Sequence, residues 1–149
     1  MITDKQFEFL LAFHEKSASG SKYSESRVEA AKLYVFDRDA WSEIKPSSKG
    51  DRDEYYVKSY GKKLSEKILF WHEFLAKWPG DIESKFKALL NTGGKMPSQN
   101  AIDATIQHVK TGHSMHKCAI DNECFMQSVK SALAKIKKFD DAAKLYNEI

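Results

Sequence analysis

A chain of 149 residues with 30% charged side chains and a net charge of +3 fits a single domain large enough to fold without a metal or a disulfide. Its basic side consists of twenty-one lysines and only three arginines, Arg27, Arg38 and Arg52, which argues against sequence-specific DNA reading, because arginine is the residue of bidentate guanine recognition. No apolar run is long enough to span a bilayer, and the opening MITDKQFEF mixes acidic with apolar residues, so neither a membrane segment nor a secretory signal is read, and the expected setting is intracellular, cytoplasmic and reducing.

Thr3 and Gln6 have the spacing of a capping box, and Phe7, Leu10, Leu11 and His14 then recur on one face, which predicts a first helix over residues 4–17. A polar Ser/Gly stretch follows to Ser24. Ser24 or Ser26 caps a second helix carrying Val28, Ala31, Tyr34, Val35 and Trp41, expected to run on to Ile44, before Pro46. KPSSKGDRD, residues 45–53, offers nothing to bury and is expected to be a mobile loop, with Asp51 or Asp53 capping the next helix.

That next helix, about residues 54–78, organises the chain. Val57, Tyr60, Leu64, Ile68, Trp71, Leu75 and Trp78 follow at steps of three or four, so they form one continuous apolar stripe on a helix. Glu66, Glu73 and Lys77 fall on the opposite face, Gly61 is expected to mark a bend, and Pro79–Gly80 ends the element. Neighbouring helices must cover such a stripe.

Asp81 then caps a short helix with Ile82, Phe86, Leu89 and Leu90, and Pro97–Ser98 opens another that stops at Gly112. Residues 113–120 read as a turn or an irregular connection. Asp121 is expected to cap the last long helix, from which a tail helix continues, kinked or broken near Phe139–Asp141. No alternating strand pattern or internal repeat is present, so the predicted class is all-α, a single compact domain of about six helices around the central one.

Two clusters carry candidate chemistry. HVKTGHSMHKCAIDNEC gathers His113, His116, Cys118 and Cys124, residue types that ligate zinc. However, the two thiols are six residues apart and nothing repeats the paired spacing of a finger. Small buried cysteines and surface histidines are the plainer reading. The second cluster is Lys58, Lys62, Lys63 and Lys67 beside Tyr55, Tyr56 and Tyr60. Lysines attract phosphates and tyrosines stack on bases, although Lys58 and Lys62 leave the helix on one side and Lys63 and Lys67 on the other.

No nucleophile with a base, no opposed carboxylates and no complete ligand set emerges, so no enzyme is read. The leading expectation is a non-catalytic helical interaction protein, an accessory subunit, inhibitor or regulator that binds a larger protein or nucleoprotein partner. Tyr55, Tyr56, Lys58, Lys62, Lys63 and Lys67 are its candidate binding residues. The alternatives are a nucleic-acid-associated protein that holds the phosphate backbone through the central lysines, and a small helical protein stabilised by zinc.

Overall fold

Thr3 and Gln6 close the first helix as their spacing predicts: the Gln6 amide N–H donates to Thr3 Oγ1 at 3.1 Å and the Thr3 N–H to Gln6 Oε1 at 2.9 Å. The structure, a computed structural model, describes residues 1–18, 20–46 and 52–149, with the side chains at 18, 52 and 53 left aside. Of the predicted loop at 45–53, residues 47–51, Asp51 among them, lie outside the described residues, and Asp53, expected as a cap, is instead inside a short helix, Arg52–Tyr55. Those that are described form helices and no strands, and they group into two units, Met1–Glu73 with Ile149, and Phe74–Glu148.

The first unit holds α1 (Asp4–Ala18), α2 (Glu25–Phe36), α3 (Arg38–Ser42), α4 (Arg52–Tyr55) and α5 (Val57–Ala76) as far as Glu73. Ser24 caps α2 through the Arg27 N–H. The expected single helix to Ile44 is two helices, because Asp37 leaves helical geometry (φ −148°, ψ 80°) and its carboxylate accepts the Ala40 N–H at 3.1 Å to start α3. An aspartate that can serve as a cap competes with helix continuation. Phe7, Leu10, Ala30, Ala31, Leu64, Ile68 and Trp71 make the buried core of this unit.

Helix α5 continues through Gly61. The missing side chain at this position lets α2 approach: a Cβ at Gly61 would lie 2.4 Å from the Ala30 Cβ and 2.9 Å from the Ala30 carbonyl carbon. Glycine and alanine at the crossing bring the two backbones into contact. The stripe read from the sequence faces inward along this stretch, half-buried at Val57 and Tyr60 and buried at Leu64, Ile68 and Trp71, while Glu66 and Glu73 are exposed.

The second unit takes the end of α5 and adds α6 (Ile82–Leu90), α7 (Gln99–Thr111), α8 (Met115–Asp121) and α9 (Met126–Asn147). Asp81 and Ser98 cap α6 and α7, and Gly112 ends α7 in the left-handed conformation that only glycine adopts without penalty (φ 75°). Residues 113–120 are not irregular: Ser114 caps α8 through the Lys117 N–H.

Asp121 does not cap the last helix. It closes α8, and the chain turns through Glu123, at φ 55°, before α9 begins behind Phe125 with no side-chain cap. Nor does α9 break near Phe139–Asp141. Phe139 is buried, and Asp140 accepts the Trp78 indole N–H at 2.7 Å and pairs with Lys85 at 2.8 Å, which holds the helix at the expected break. Helix α7 packs on α6, α8 and α9, over a core that includes Phe86, Leu89, Ala104, Val129, Ile136 and Tyr146. Among the described residues, no helix is long and apolar enough to cross a membrane.

Candidate nucleic-acid and protein interface

Helix α5 sends its lysines to two sides because successive residues turn by a hundred degrees, so positions 58 and 62 share one face and 63 and 67 another. On the first side Lys58, Lys62, Tyr55, Tyr56, Trp41 and Pro46 line a hollow of about 370 Å³. Trp41 is fixed there from two directions: its indole N–H donates to the Lys58 carbonyl at 3.1 Å, and Tyr34 meets its ring edge-on at 4.8 Å. The Lys58 ammonium donates to the Ser42 carbonyl at 2.9 Å and lies 4.8 Å from the Trp41 ring, so Lys58 is occupied in holding α3 against α5. Tyr55 and Tyr56 pack edge to face at 4.6 Å and remain 46% and 43% exposed.

On the second side Lys63 and Lys67 join His14, Tyr23, Arg27 and Tyr60 around a hollow of about 390 Å³ with Leu64 beneath. The Arg27 guanidinium lies over the Tyr60 ring at 4.4 Å, and Lys63 Nζ is 5.9 Å from the same ring. Sequence reasoning missed His14, Tyr23 and Arg27 here, since they come from other helices and a connection. The available signal was a histidine on the apolar face of α1.

His14 is buried and held at both nitrogens. The Trp71 indole N–H donates to Nδ1 at 3.1 Å, which leaves the proton on Nε2, 3.0 Å from the Tyr23 hydroxyl. Burial lowers the His14 pKa, the Lys67 charge lowers it further, and Glu15 partly opposes both. The folded protein therefore takes up a proton here less readily than the unfolded chain, and this site contributes stability that is complete above the ordinary value of 6.5. That contribution is lost as the pH falls from there through the lower folded value. Stability measured by urea unfolding is expected to fall between about pH 7 and about pH 5, and His14→Gln is expected to flatten that slope.

The four candidate zinc ligands are not brought together. Cys118 turns into the second unit's core beside Ala104, Ala119 and Val129, and Cys124 packs against that cluster from outside. Both thiols are free. The Cys118 thiol lies 3.8 Å from the His113 carbonyl, the His113 ring meets Gln107 at 3.3 Å, and His116 faces solvent. Among the described residues, no three His, Cys, Asp or Glu side chains are placed to hold a metal ion. The physical reason is α8 itself: once residues 115–121 wind into a helix, His116 and Cys118 point away from each other. Burial also pushes the Cys118 thiol up, with Asp121 adding to it, the reverse of what an activated nucleophile needs.

Asp37 caps α3, while Arg38 lies on the Tyr34 ring at 3.5 Å and donates to the Tyr34 carbonyl. Gly93, Gly94 and Lys95 lie in the connection after α6, where Thr92 Oγ1 donates to the Leu89 carbonyl at 2.8 Å. Among the C-terminal lysines, Lys135 donates to the Lys95 carbonyl, and burial lowers its pKa. Lys130, Lys137 and Lys138 are exposed on the second unit, whereas the central lysines belong to the first.

No family model, curated protein or solved structure matches this chain.

Proposed function

We propose that this chain is a non-catalytic helical interaction protein that docks a larger protein partner on the Tyr55–Tyr56 side of α5. The observation that carries this reading is the pair of tyrosines held edge to face and yet left 46% and 43% exposed. Large aromatic side chains contribute most when desolvated, so a half-exposed pair lining a hollow is suited to become buried by a partner. Trp41, hydrogen-bonded to the Lys58 carbonyl, lines the same hollow, and Lys58 and Lys62 add positive charge to it. The matching partner surface is an apolar side chain flanked by carboxylates.

The test is capture from nuclease-treated native lysate on immobilised wild-type protein and on the Tyr55→Ala/Tyr56→Ala variant. Proteins retained by the wild type and lost with the double variant are the expected result. Identical retention by both would remove the tyrosine face from the account. A partner set that disappears with nuclease would favour backbone binding through the lysines, whose affinity falls steeply with salt.

A further inference from the structure

We propose that the hollow between α7 and α9 of the second unit is a binding site for a small organic carboxylate with an apolar body, its carboxylate held by Lys95 and Lys135 and its body laid against Met96, Pro97, Ala101 and Ala132. The hollow lies wholly within the second unit, so it does not depend on the docking reading, which concerns the first.

The space follows from the residues that meet there. Ser128, Ser131, Ala132 and Lys135 stand at positions i, i+3, i+4 and i+7, so they share one face of α9. Three of the four are small, and so is Ala101 on α7. Where α7 packs on α9, short side chains therefore leave a gap instead of interlocking. The connection ahead of α7 completes the lining with Lys95, Met96, Pro97 and Ser98, and the volume of about 430 Å³ falls within the range of small-ligand sites.

Charge gives the ligand one half of its chemistry. The lining holds two lysines and no acidic residue. Lys135 is half-buried and donates to the Lys95 carbonyl, which ties its ammonium to the connection that lines the hollow and leaves it two further N–H donors. Burial and the Lys138 charge both disfavour the ammonium form of Lys135, and no carboxylate is among the groups that act on it. An anion beside it offsets both effects. Gln127, Ser128 and Ser131 add neutral donors, and among the described residues their side chains have no partner within the protein. The Ser98 hydroxyl is already engaged, accepting the Ala101 N–H at 3.2 Å.

Met96, Pro97, Ala101 and Ala132 supply the other half. A phosphate dianion, hydrated on every side, would lose water against these apolar groups with no hydrogen bond in return. A single carboxylate on an apolar chain suits both halves, because its head meets the donors and its chain replaces water along the apolar wall.

The test titrates sodium octanoate at constant ionic strength and about pH 7, where a carboxylate is ionised, into protein carrying 13C-labelled methionine methyl groups. Of Met1, Met96, Met115 and Met126, only Met96 lines the hollow. A saturable shift, largest at Met96 and absent at Met1 and Met115, is expected. Lys95→Gln and Lys135→Gln are each expected to weaken it about tenfold, the loss of one charge-assisted contact. Lys95 is exposed and only its backbone carbonyl receives Lys135, so its variant reads binding with the fold intact. Octanol, which has the same chain and no charge, is expected to bind about tenfold more weakly or less tightly still. Octanol binding as tightly as octanoate, a shift that grows linearly with octanoate, or one that both lysine variants leave unchanged would overturn the proposal. So would inorganic phosphate binding as tightly as octanoate, since the apolar wall would then contribute nothing.

Discussion

Replacing Trp71 with alanine is expected to lower the unfolding free energy by about 3–5 kcal/mol, the usual cost of truncating a buried aromatic side chain. The residue is 8% exposed, meets Phe13 edge-on at 5.1 Å and Phe70 at 5.1 Å, and donates its indole N–H to His14. Truncation removes these contacts and leaves His14 Nδ1 without its donor in a buried setting. Trp71→Phe separates the two contributions: most of the packing remains while the hydrogen bond is lost, so a smaller cost of about 1–2 kcal/mol is expected. Urea unfolding of both variants checks the order. Equal losses would mean that the hydrogen bond, and not the packing, dominates at this position.

Gly61→Leu is expected to destabilise by about 2–3 kcal/mol, although leucine is the better helix former by nearly 1 kcal/mol. The new Cβ would sit 2.4 Å from the Ala30 Cβ and 2.9 Å from its carbonyl carbon, so the backbones of α2 and α5 must separate. Packed interiors do not absorb such a shift at low cost. Gly61→Ala isolates the first atom of the clash, and combining it with Ala30→Gly removes the Cβ–Cβ part of it. A double-mutant cycle should therefore show a favourable coupling of about 0.5 kcal/mol or more. Stabilisation by Gly61→Ala would place the glycine outside any close contact.

The central helix was legible because its apolar residues recur at steps of three and four over more than twenty positions, a pattern that no strand or loop produces. The caps at Thr3, Ser24, Asp81 and Ser98 were legible for a related reason, since a hydroxyl or carboxylate just before an apolar stripe satisfies its own helix locally. What failed was competition between equally good local signals. Asp37 could continue a helix or cap a new one, and it caps. Asp121 was read as a start and is an end, because Gln107 at 2.9 Å and Lys117 at 3.1 Å take its carboxylate.

Gly61 shows a second kind of limit. Its role is a contact with Ala30, thirty-one positions earlier, and chain-local reasoning sees only its helix propensity. The same holds for the second hollow of the first unit, to which the central helix contributes Tyr60, Lys63, Leu64 and Lys67, while His14, Tyr23 and Arg27 come from elsewhere in the chain. Even the opposed placement of the lysines follows from helical turn alone, but the contribution of Trp41 to the hollow on one side does not.

The docking reading stands on one division of labour: Tyr55 and Tyr56 serve binding and contribute little to folding. The most direct measurement compares wild-type protein with the Tyr55→Ala/Tyr56→Ala variant in two assays on the same preparation, affinity for the captured partner and the urea midpoint. The account predicts binding weakened by about tenfold or more, with stability changed by about 1 kcal/mol or less. Unchanged affinity, or a loss of stability large enough by itself to explain the lost binding, would contradict it.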